Sequence, residues 1–108
     1  MSDCALKQGD LEPPLGITLI DTNNVPVDLT TALSVMFRMA PYDTRVEIFS
    51  HPTTIEDAEA GEFTYFWQQG DTDVPGVYYC EFVVEWPGPR DQTFPTIGYL
   101  VISIEPKL

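Results

Sequence analysis

Between Val77 and Trp86 the chain alternates with a period of two. Tyr78, Cys80, Phe82, Val84 and Trp86 form an unbroken apolar set, and Val77, Tyr79, Glu81, Val83 and Glu85 fall between them. A pleated strand sends successive side chains to opposite faces, so the first set lies on a buried face. Pro75-Gly76 provides the turn ahead of it, because proline presets one φ angle and glycine permits a positive one. A central strand entered through a tight corner is the strongest constraint in the sequence.

Other segments repeat that pattern in shorter form. Leu15 to Ile20 alternates after Pro13-Pro14, whose missing backbone donors predict either a sheet edge or a strand that starts irregularly. Leu33, Val35, Phe37 and Met39 are read as facing inward, with Arg38 outward. Arg45–Phe49, Thr53–Glu56, Glu62–Trp67 and Gly98–Glu105 are read as further strands. Asp21-Thr-Asn23-Asn24 is read as a turn, Pro87-Gly-Pro-Arg90-Asp91 as a hairpin loop, and Glu56–Gly61 as a tight loop or helical turn. The ten prolines and seven glycines are spread along the chain, which suits many short strands. The predicted class is all-β, an antiparallel sandwich of about seven strands. One domain over residues 10–108 follows a flexible arm over 1–9, with nothing in the arm to bury.

Seventeen acidic residues against five basic ones leave a net charge of -12. Nucleic acid is bound through Lys and Arg, and anionic membrane surfaces likewise, so neither partner is expected. The two cysteines, Cys4 and Cys80, do not make a disulfide framework and are read as free thiols.

Chemistry is sparse. The lone histidine, His51, precedes Pro52 and is read as a surface turn residue. Asp71-Thr-Asp73-Val-Pro-Gly76 opens like a calcium loop, but Pro75 and Phe82 stand where the fifth and twelfth ligands belong. Glu81 and Glu85 fall on the outward strand face, where carboxylates stay solvated. Tyr79, Tyr99 and one face of Tyr65–Trp67 are read as outward candidates for an interface. No catalytic residue, metal ligand or cofactor site is assigned.

Tyr78, two residues before Cys80 and just after a turn, resembles the start of strand F in an immunoglobulin-like sandwich. Longer stretches resemble a bacteriophage family: Gln8–Leu15, Asp21–Thr30, Val35–Met39, Ala60–Trp67, Gly70–Tyr78 and Thr93–Pro95. They are similar to the N-terminal domain of phage baseplate upper proteins, an immunoglobulin-like β-sandwich that docks receptor-binding parts onto the virion. The resemblance implies a non-enzymatic virion protein, assembled in the host bacterial cytoplasm in symmetric copies and bound to other virion proteins. The chain stops at Leu108, where those proteins continue, so the expectation is an adaptor or accessory at the tail, baseplate or neck. A capsid decoration protein and a host-surface or carbohydrate-binding module are the alternatives. Pro75, Gly76, Tyr78 and Cys80 are structural in this reading. Pro13, Pro14, Asn23, Asn24, Pro87, Arg90 and Phe94, with loops 21–30 and 86–97, are the candidate interface.

Overall fold

A computed structural model describes residues 3–96 and 98–108. Residues 1 and 2 of the expected arm, and Ile97 of the 86–97 loop, lie outside the described residues. The strands are β1 (Cys4–Lys7), β2 (Leu15–Thr18), β3 (Ser34–Pro41), β4 (Phe49–Pro52), β5 (Thr54–Asp57), β6 (Glu62–Tyr65), β7 (Gly76–Trp86), β8 (Arg90–Phe94) and β9 (Leu100–Glu105). One sheet runs β1-β9-β7-β3-β4 with β8 also on β7, and the other runs β2-β6-β5. The fold is all-β, and β4-β3-β7-β9 facing β2-β6-β5 is an immunoglobulin-like sandwich.

The alternating stretch identified in the sequence is β7, the longest strand, and it organises the larger sheet. β3 pairs along one side, from Ser34 opposite Glu85 to Pro41 opposite Tyr78. The other side is shared: Gly76–Cys80 pair with β9, and Phe82–Trp86 pair with β8. The inward residues interlock across the two sheets. Phe37 packs its ring 4.5 Å from Tyr65 and 5.3 Å from Phe82, with the Trp67 ring edge-on at 5.7 Å. Phe63 meets Phe82 edge-on at 5.1 Å. Burial of a large apolar side chain of this kind is worth roughly 1.5–3 kcal/mol, so this aromatic layer holds the sandwich closed.

Several expectations need correction. Cys4–Lys7, assigned to a flexible arm, pair in parallel with β9, and Leu6 is buried in the core. A four-residue strand leaves only a weak alternation signal, and its long-range parallel partner is invisible locally. Strand Arg45–Phe49 is displaced to Phe49–Pro52, which puts His51 on an edge strand rather than in a turn. Arg45 takes a left-handed backbone, φ 56°, and leaves Val46 and Ile48 exposed. Leu33, expected inside, is 70% exposed, because it precedes the first residue of β3 at the open loop end. Tyr65 and Trp67 are both buried, and Phe66 between them is the outward residue. With β1 and β8 added, the described residues form nine strands where about seven were expected.

Gly61 closes the Glu56–Gly61 loop in a way only glycine permits. Its φ is +70°, and a Cβ there would sit 2.7 Å from the Val27 carbonyl oxygen and 2.9 Å from that of Leu19. Its own carbonyl accepts the Leu19 N–H at 2.9 Å, so the glycine joins loop 19–33 to the β5–β6 turn.

Candidate interaction surface

Strand direction gathers part of the expected interface at one end. β3 starts beside Glu85, near the end of β7, and Leu33 N–H donates to the Glu85 carbonyl at 2.7 Å. Loop 19–33 therefore opens toward the β7–β8 hairpin. Within it the Asp21 carboxylate accepts the backbone N–H groups of Asn23 (2.8 Å) and Val25 (3.0 Å). Asn24 adopts φ 64°, a left-handed conformation that asparagine tolerates, and presents its exposed side chain at the turn. The hairpin places exposed Pro87 and Arg90 at its tip, with Arg90 opposite Trp86.

The remaining candidates do not join them. Pro13 and Pro14 precede β2 at its Leu15 end, opposite the end from which loop 19–33 departs. Among the described residues β2 pairs only with β6, so it is an edge strand, one of the two arrangements the prolines allowed. Phe94, read as a loop residue of the interface, instead pairs with Phe82 across the β7–β8 ladder and is buried in the core. Its position beside Pro95 signalled a loop, but the ladder extends through it and turns its ring inward.

At the opposite end, the corner before β7 is tied down by two side chains. The Tyr78 hydroxyl donates to the Val74 carbonyl at 2.5 Å. Asp71 accepts the Tyr65 hydroxyl at 2.5 Å and the Gln68 N–H at 2.8 Å. Burial, and then the neighbouring Asp71 carboxylate, push the Tyr65 phenol well above its ordinary range. His51 stacks on Phe49 at 4.8 Å and holds its Nε2 3.7 Å from Asp71 Oδ1. The sequence offered no signal for this contact, which depends on the displaced β4. Chemically the group is a clamp: one carboxylate oxygen takes two donors and fastens β6 to the corner. Among the described residues no three His, Cys, Asp or Glu side chains group to hold a metal ion.

The outer face of the larger sheet carries a third cluster. Tyr79 stacks on Tyr99 at 4.6 Å with ring planes 8° apart, and Tyr42 approaches Tyr79 edge-on at 6.3 Å. The Arg45 guanidinium lies 5.4 Å from the Tyr79 centroid and 5.9 Å from that of Tyr99. Beside it, Arg38 donates from two nitrogens to one oxygen of Glu81, at 2.8 and 3.1 Å. Alternation along β7 had placed Tyr79 outward, and it is half-buried beneath these neighbours. Arg45 and Tyr42 were missed, since nothing local indicates that their loop folds back over the sheet.

A family model for the BppU N-terminal domain matches residues 3–103. The chain belongs to that family. It is a phage baseplate-related structural domain, a virion component that associates with other phage virion proteins. No curated protein and no solved structure matches the chain. The BppU N-terminal domain match begins at residue 3, so it takes in β1 and the first part of its parallel pairing with β9, as far as Ala5 opposite Ser103. It also covers the corner, the tyrosine cluster and both turns at the loop end.

Proposed function

We propose that the chain is a non-enzymatic adaptor or accessory domain, attached to the phage tail, baseplate or neck by protein–protein contacts. The observation that carries this reading is the family match over residues 3–103. The loop end supports it physically. Asn23 and Asn24 sit on a turn fixed by Asp21, and Pro87 and Arg90 sit on a hairpin fixed by the β7–β8 ladder. Pre-ordered contact loops lose less conformational freedom on docking, which favours specific assembly. In this reading Pro13 and Pro14 line a second contact along the β2 edge. The domain is present in symmetric copies and is incorporated as the virion assembles in the host bacterial cytoplasm. Its net charge of -12 disfavours nucleic acid and anionic membrane as partners.

Mass spectrometry of purified virions tests the reading, followed by localisation in an electron-microscopy map. The expected result is density for the domain at the tail end or neck. Absence of the chain from virions would refute it. Density on the capsid shell would select a decoration role instead, and specific hits on a glycan array would select a host-surface role.

A further inference from the structure

The cluster around Arg45 lies away from the loop end and has a composition of its own. Tyr79 and Tyr99 make a stacked platform, Tyr42 braces one edge, and Tyr42 and Tyr99 are 53% and 42% exposed. A cleft of about 260 Å³ opens here, bordered by Arg38, Arg45, Glu47, Tyr79, Glu81 and Tyr99. Tyrosine and arginine are, with tryptophan, enriched among the residues that anchor protein interfaces: tyrosine offers large contact area with few torsions to freeze, and arginine a planar fork of donors.

The charges in the cleft are not equivalent. Arg38 is engaged by Glu81 at 2.8 Å. Arg45 has no carboxylate within salt-bridge distance among the described residues, and its guanidinium is held over two ring faces. Its left-handed backbone, φ 56°, and the bond from its N–H to the Pro41 carbonyl at 2.8 Å fix the loop that presents it. A guanidinium stacked on aromatic rings keeps its in-plane N–H donors directed outward, the geometry that a carboxylate accepts. In a domain of net charge -12, an acidic partner is repelled by most of the surface and accepted here. Glu47 and Glu81 border the same cleft, so a polyanion is disfavoured and a single carboxylate fits.

We infer that the Arg45–Tyr79–Tyr99 face is a docking site for a segment of a partner protein presenting one Asp or Glu carboxylate flanked by aromatic residues. The carboxylate pairs with Arg45 while its neighbours cover Tyr79 and Tyr99. The inference rests on the adaptor reading only for the source of that segment, a neighbouring virion protein.

Purified full-length chain, isotopically labelled, provides the test. It is titrated in nuclear magnetic resonance with two blocked tripeptides, acetyl-Phe-Asp-Phe-amide and acetyl-Phe-Asn-Phe-amide. The Asp peptide is expected to shift the Arg45 side-chain N–H and the Tyr79 and Tyr99 ring signals, binding at least fivefold tighter than the Asn peptide. Arg45→Asn, which tolerates the left-handed backbone, is expected to remove that preference, and 0.5 M salt to weaken it. Lys7→Glu on the edge strand β1, a larger change of charge than Arg45→Asn, is expected to preserve it. Equal binding of the two peptides, or shifts that bypass Arg45, would overturn the inference. So would tenfold tighter binding of a phosphoserine peptide, which would assign the site to phosphate. None of these outcomes depends on whether the chain is found in virions, so the two readings fail separately.

Discussion

The Tyr78 hydroxyl donates to the carbonyl of Val74, four residues upstream, at 2.5 Å. The bond fastens the corner that feeds β7, and the ring beneath it is buried in the core. This is the tyrosine-corner arrangement of immunoglobulin-like sandwiches, made here without an inter-sheet disulfide, since Cys4 and Cys80 are both free. Tyr78→Phe retains the ring and removes the bond. It is expected to lower stability by about 1 kcal/mol and the melting temperature by roughly 4–8 °C. An unchanged urea midpoint would show that the corner bond is not stabilising.

Leu6 lies on a strand of only four residues, yet it is buried against the core while Ala5 and Lys7 face out. Leu6→Ala is expected to cost about 2–3 kcal/mol, because the edge strand relaxes only partly into the gap. Ala5→Ser on the opposite face should stay within about 0.5 kcal/mol. Equal denaturation midpoints for the two variants would mean that β1 does not contribute to the native core.

Phe94 and Arg90 bracket β8, the first buried in the core and the second exposed. Phe94→Ala is expected to cost about 3–4 kcal/mol as a core truncation, and Arg90→Ser at the hairpin tip less than about 0.5 kcal/mol. In virion incorporation the order reverses: among molecules that fold, Arg90→Ser is the variant expected to fail. Thermal melts and quantitative mass spectrometry of virions read the two effects independently.

What could be read from the chain alone follows from the range of the physical signal. β7 and β3 were legible because alternation over many residues overrides local noise, and every inward residue of β7 from Tyr78 to Val84 is buried as expected. The corner was legible because Pro75, Gly76 and Tyr78 carry it within a few positions. β1 was not, since its reason to be extended is a parallel partner almost a hundred residues away. β4 was misplaced because Val46 and Ile48 imitate a strand, whereas the chain there bends to set Arg45 over Tyr79 and Tyr99. The loop-end residues Asn23, Asn24 and Pro87 were legible as turns, Arg90 proved to be the first residue of β8, and the Arg45 cluster and the Asp71 clamp exist only through tertiary pairing. A period of two reports which face a residue takes, and it is silent on which loop will fold across that face.

Asp71 satisfies two donors at once, the buried Tyr65 hydroxyl and the Gln68 N–H. Asp71→Ala strands the hydroxyl in the core and is expected to cost about 1–3 kcal/mol. Asp71→Asn retains an acceptor and should lose less. Tyr65→Phe combined with Asp71→Ala removes both partners, so the double variant should be more stable than the sum of the single losses. Strict additivity in a double-mutant cycle would show that the two side chains act independently.

Cys80 supplies a pH dependence whose direction follows from its burial. An exposed thiol of this type titrates near 9.0, and burial raises the Cys80 thiol well above that in the folded chain. Between the two values the unfolded chain releases a proton that the folded chain keeps. The unfolded state then binds fewer protons, so stability falls as pH rises past 9.0 and is fully present below it. The Tyr65 phenol is raised in the same sense from an ordinary value of 10.0, so a second decline joins the first above that pH. Urea midpoints measured from pH 7 upward should be flat and then fall. Cys80→Val should flatten the first part of the decline and leave the second. Thiol labelling followed by mass spectrometry gives an independent reading. The half-buried Cys4 is expected to react in the native protein, slowed by its own partial burial, while Cys80 reacts only on unfolding. Equal native labelling of both thiols, or a Cys80→Val profile identical to the parent, would contradict the buried, protonated thiol at the centre of β7.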